Sequence, residues 1–104
     1  MTTVVLGRLT DYEVGFARAI PAPGRTLVVV RIGGSLYVLD DRCSHEDYSL
    51  AEGEVWADER ELECAKHGST FDLRTGAPCS LPATTAIPVF DVVVEDGDVS
   101  VVLP

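Results

Sequence analysis

Apolar and polar residues follow one another in short runs along most of this chain, with the spacing of strands rather than helices. Residues 26–32 (TLVVVRI) form one apolar run, Gly33 and Gly34 follow, and residues 35–39 (SLYVL) form another. This pattern predicts two strands joined by a two-residue turn, where glycine removes the steric penalty for positive φ. Residues 88–94 (PVFDVVV) and 99–103 (VSVVL) flank residues 95–98 (EDGD), which predicts a second hairpin. A shorter apolar run occupies residues 4–6. Between the hairpins, residues 40–87 hold many turn formers and every Cys and His of the chain. Within them, residues 54–57 and 61–64 predict two short strands around Asp58 and Glu59, and residues 70–73 a third ahead of a turn at Thr75 and Gly76. No segment sustains a 3.6-residue apolar period; residues 12–19 and 49–52 have room for at most a turn or two of helix. The expectation is an all-β fold with a loop-built insertion mounted on a hairpin scaffold.

Composition narrows this. A chain of 104 residues, 46% hydrophobic and 24% charged, suits a single domain spanning residues 1–104 with one core. No apolar run approaches the roughly 20 residues that cross a bilayer, so no membrane is expected as a partner. The N-terminal MTTVVLGR lacks a basic stretch leading into an apolar block, so export is not signalled and a cytoplasmic location is expected. Eight basic against 17 acidic residues give a net charge of −9, which makes nucleic acid a poor partner. Acid is concentrated in residues 41–63, where nine Asp or Glu face only Arg42 and Arg60. That stretch is either a solvated face or a docking surface for a basic protein.

Three cysteines are an odd number, and in a reducing compartment they point to ligation or catalysis before disulfides. Cys43 and His45 form a C-x-H cluster, Cys64 and His67 a C-x2-H cluster, and 18 residues, 46–63, separate them. A lone Cys is usually a small buried hydrophobe and a lone His a satisfied surface or core residue. Here both histidines stand beside a cysteine, which favours a metal site. Zinc accepts two cysteines with two histidines, but its usual finger pairs like with like, C-x2-4-C before H-x3-5-H. In a [2Fe-2S] cluster with two cysteines on one iron and two histidines on the other, each loop supplies one ligand to each iron, as mixed clusters would. A zinc-stabilised interaction module stays as the alternative from another class.

From these residues onward the chain resembles Rieske-type ferredoxins. His67-Gly68-Ser69 continues into Thr70-Phe71-Asp72, then Thr75-Gly76, and a third loop, residues 80–83 (SLPA), follows at the family's usual place. The likeness covers roughly residues 25–103. It implies a Rieske fold, an antiparallel β-sandwich or barrel-like base with a small cluster-binding subdomain, residues 41–83, inserted in it. It further implies one [2Fe-2S] cluster, with Cys43 and Cys64 on the inner iron. His45 and His67 would bind the outer iron through Nδ1 and leave Nε2 near solvent. The chain is similar to the ferredoxin subunits of non-haem-iron, aromatic-ring oxygenase systems, and to actinobacterial proteins found beside iron-sulfur assembly genes. The implied role is electron transfer from a flavin, NAD(P)H-dependent reductase to a terminal oxygenase by a monomeric carrier that is not itself an enzyme. The small Rieske subunit of a nitrite reductase and an assembly-linked role are the alternatives within the fold.

High-potential Rieske proteins carry an extra disulfide from cysteines at the positions of Tyr48 and Lys66, and a Tyr hydroxyl donating to a ligand sulfur where this chain has Phe71. Ser69 remains as a hydroxyl donor to a bridging sulfide, and Cys79 lies outside the ligand pattern. Two ferric irons, two sulfides and two thiolates sum to zero with neutral imidazoles, so an electron is added more easily than to a four-thiolate cluster of charge −2. The expected potential therefore lies in the Rieske range, roughly −150 to +300 mV, and near its lower end. No nucleophile with base and orienting acid is visible besides the ligands, and no G-x-G-x-x-G follows a strand.

Overall fold

The computed structural model describes residues 2–42, 49–65, 68–79 and 84–103, in which nine strands form two sheets. The strands are β1 (Thr2–Arg8), β2 (Ala17–Ala22), β3 (Arg25–Ile32), β4 (Ser35–Asp40), β5 (Val55–Trp56), β6 (Glu61–Glu63), β7 (Thr70–Asp72), β8 (Val89–Glu95) and β9 (Asp98–Leu103). Six of them make a sheet in the order β1-β9-β8-β4-β3-β2, and β5-β6-β7 make a smaller sheet. All strand pairs are antiparallel.

Both expected hairpins form. Ile32 pairs with Ser35, leaving Gly33 and Gly34 as the turn, with Gly33 at φ +60. Glu95 pairs with Asp98, so the last turn is two residues rather than four. Asp96 and Gly97 there take φ +52 and +83, as a tight hairpin turn following the strand twist demands. Arg8 secures that turn from β1, donating to the Asp96 carbonyl at 3.0 Å and pairing with Asp98 at 2.7 Å.

Residues 12–19 hold no helix: a turn of 3-10 helix falls earlier, at Leu9–Asp11, and the chain enters β2 at Ala17. β2 is the edge of the larger sheet, where Pro21 is tolerated because a missing N–H need not interrupt the ladder. Its sequence, ARAIPA, holds one β-branched residue and a proline, so the strand gave little signal. Within residues 49–52 a single turn of 3-10 helix forms, at Leu50–Glu52.

The run Leu27 to Val30 in β3 is buried at every position because the strand has a core on each face. Leu27 and Val29 face a core with Leu36, Val38, Val99, Val101 and Leu103. Their neighbours Val28 and Val30 point the other way, into a core with Leu39, Leu50, Leu62, Cys64, Phe71, Leu73 and Ile87. β3 and β4 thus form a wall on which the smaller sheet is mounted. Arg60 reinforces it, its Nε donating to the Tyr37 hydroxyl at 3.0 Å. Among the described residues, no helix is long and apolar enough to cross a membrane.

Candidate metal centre

The second Cys–His segment is the loop of a hairpin. Leu62 pairs with Phe71 and Glu63 with Thr70, so the chain must turn between Cys64 and Ser69. Two backbone bonds close the neck: the Cys64 N–H donates to the Ser69 carbonyl at 2.7 Å, and the Gly68 N–H to the Cys64 carbonyl at 2.9 Å. Gly68 sits at φ +73, a conformation that favours glycine. Cys64, Ser69 and Phe71 are fully buried. His67 lies outside the described residues, as do Cys43 and His45 of the first segment.

The two ends of the first segment are described and are held together. Arg42 and Ser49 form an antiparallel bridge, and the Leu50 N–H donates to the Asp41 carbonyl at 2.9 Å. The Asp41 carboxylate accepts the Ser49 hydroxyl at 2.6 Å and the Ala51 N–H at 2.8 Å. From this neck Leu50 inserts into the core that contains Leu62 and Cys64. Three residues on, Gly53 lies so close to the Glu63 carbonyl that a Cβ there would overlap it, and the Glu63 N–H donates to the Glu54 carbonyl at 2.9 Å. The fold therefore packs the neck of the first segment against the strand that ends at Cys64.

Among the described residues no three Cys, His, Asp or Glu side chains are grouped to hold a metal ion. The expected ligands other than Cys64, namely Cys43, His45 and His67, lie outside the described residues. The residue types expected as ligands suit iron-sulfur chemistry: Cys64 at an apolar wall, with Cys43 and one histidine in each Cys–His segment of the sequence.

Cys79 stands apart from this set. It is exposed, is not in a disulfide, and its N–H donates to the Thr70 carbonyl at 2.7 Å. Desolvation, then the carboxylates of Glu61 and Asp72, push its thiol pKa up, which makes it a poor thiolate. The third loop, residues 80–83, with Tyr48 and Lys66, lies outside the described residues.

The acidic stretch divides by burial. Glu52, Glu54, Asp58 and Glu59 are exposed, Glu61 and Glu63 are half-buried, and Asp41 is 8% exposed. Asp41, expected from sequence to share the acidic surface, sits instead in the neck, two residues ahead of Cys43.

Comparison with known proteins identifies the family. The family model described as Rieske [2Fe-2S] domain matches residues 2–91. The ferredoxin of carbazole 1,9a-dioxygenase from Nocardioides aromaticivorans IC177 superposes with a TM-score of 0.93 at 36% identity, covering 97% of each chain. The ferredoxin in a complex of reduced oxygenase and oxidised ferredoxin in carbazole 1,9a-dioxygenase has a TM-score of 0.88 at 35% identity, covering 95% of this chain and 100% of that one. The 3-phenylpropionate/cinnamic acid dioxygenase ferredoxin subunit of Escherichia coli K12 is 38% identical over 78 residues, 75% of this chain and 73% of that protein. A nitrite reductase small subunit, at 20% identity and a TM-score of 0.83, shares the fold alone. These dioxygenase relatives are ferredoxin components, not the oxygenases they serve, and the zinc alternative gives way to the family match.

Proposed function

This chain belongs to the Rieske [2Fe-2S] domain family, and on that premise we propose that it carries single electrons from a flavin, NAD(P)H-dependent reductase to the terminal component of an aromatic-ring oxygenase. Its cofactor is one [2Fe-2S] cluster. The ligands in this reading are Cys43 and Cys64 on one iron and His45 and His67 on the other, with residues 41–83 acting as one cluster-binding unit on the larger sheet. When bound, such a cluster takes up and returns one electron.

The observation that carries the reading is the placement of Cys64: fully buried at a closed loop neck, in one core with Leu50 from the neck of the other loop. Leu50, Leu62 and Phe71 pack in the same core as Cys64 and shield that side of it from water. The chain works in this reading as a cytoplasmic monomer. Because relatives are named for the dioxygenation of carbazole and of 3-phenylpropionate or cinnamic acid, those compounds are the first final substrates to try.

The test is a stopped-flow mix of the dithionite-reduced protein with the oxidised terminal oxygenase of a carbazole 1,9a-dioxygenase. One electron should leave each chain, and product should form when carbazole and a reductase are supplied. A reduced protein that stays reduced beside every aromatic-ring oxygenase tried would count against the role while leaving the family intact.

A further inference from the structure

Asp41 holds the neck of the first ligand segment from four atoms. Its N–H donates to the Thr26 carbonyl in β3 and its carbonyl accepts from the Leu50 N–H, both at 2.9 Å. Its carboxylate spans the chain's return, with Oδ2 accepting the Ser49 hydroxyl at 2.6 Å and Oδ1 the Ala51 N–H at 2.8 Å. The residue is only 8% exposed, and a buried carboxylate is costly unless donors satisfy it. Bonds to an ionised acceptor are the strong ones, and these join residue 41 to residues 49–51 across the segment that carries Cys43 and His45. The same neck seats Leu50 beside Cys64.

We propose that Asp41 is a positioning residue for the cluster: it ties the two ends of the segment that carries Cys43 and His45, residues 41–42 and 49–51, to each other and to the core that holds Cys64. This rests on the reading of Cys43 and His45 as ligands. A residue that served the fold alone would alter overall stability without a separate effect on metal retention. Losing the carboxylate leaves the Ser49 hydroxyl and the Ala51 N–H without their acceptor and lets the neck open, so the cluster should leave faster than the fold weakens.

The experiment follows bleaching of the visible absorbance of the loaded protein in excess chelator, beside thermal unfolding of the same samples. Asp41→Ala should release iron about tenfold faster than wild type, Ser49→Ala by an intermediate factor, and Asp41→Asn least of the three, since the amide oxygen still serves Ala51. Tyr12→Phe is the control: it removes a buried hydroxyl bond to the Leu6 carbonyl, 2.6 Å, in the other core, and should lower the melting temperature while leaving release at the wild-type rate. If Asp41→Ala does not load, the order of Ser49→Ala, Asp41→Asn and wild type decides. Wild-type release rates in the Asp41 and Ser49 variants, or equal acceleration by Tyr12→Phe, would overturn the proposal. His45→Ala separates the two readings: retention of two irons and two sulfides there would sink the ligand assignment itself, whereas their loss beside unchanged Asp41 variants sinks only the clamp.

Discussion

Phe71 is fully buried in the core that holds Cys64, at the position where high-potential relatives carry a tyrosine hydroxyl. A donor to sulfur stabilises the more negative, reduced cluster more than the oxidised one. A differential of about 1 kcal/mol corresponds to roughly 40 to 50 mV for one electron. Phe71→Tyr should therefore raise the midpoint by about that much, measured by voltammetry on a variant shown to hold two irons; an unchanged or lower midpoint would remove the hydrogen-bond explanation. Asp72 illustrates a weaker local effect. Hydrogen bonding from the Arg74 side chain, chiefly, holds its carboxyl below the ordinary carboxylate range. Because the folded pKa is depressed, the stabilisation is present above the unfolded value and fades as pH falls through the folded one. Asp72→Asn should thus lower the melting temperature slightly at neutral pH and progressively less toward acid. The effect is small because Arg74 is exposed. A difference that grows in acid would contradict this.

At the scale of elements, Gly53 and β6 join the neck of the first Cys–His segment to Cys64. A methyl at residue 53 must displace the Glu63 backbone, one residue from Cys64. Gly53→Ala should cost about 1 to 3 kcal/mol, as overpacking does, and lower the iron content of purified protein. Wild-type melting and full loading would show that the approach can relax without disturbing the site. Some of this architecture was legible in the chain. The hairpins of β3 with β4 and β8 with β9, and the short strands β5 to β7, follow from apolar runs separated by turn residues. β2 was missed because an edge strand needs neither a continuous apolar face nor a full set of donors, so ARAIPA carries no period. The mixed Cys–His spacing pointed to an iron-sulfur family directly, since metal chemistry is written in residue types, and the family match bears that out. What spacing could not convey is how 18 intervening residues fold back: that depends on Leu50 reaching the Cys64 core and on Asp41 closing the neck, contacts between residues far apart in sequence.

For the whole molecule, charge and function are linked. The net charge of −9, with Glu52, Glu54, Asp58 and Glu59 exposed between the two Cys–His segments, should speed encounter with a basic partner face. The second-order rate of reduction by the partner reductase should fall as ionic strength rises past the regime where the Debye length is about 10 Å. A rate independent of salt, with docking shown to limit it, would assign those carboxylates to solvation alone. Ligation by two thiolates and two imidazoles, with one electron moved by the cluster, is read out by protein-film voltammetry at neutral pH. A single one-electron wave near the low end of the Rieske range, roughly −150 mV, is expected; a wave near −400 mV, as four thiolates give, or no wave at all, would rule that ligation out.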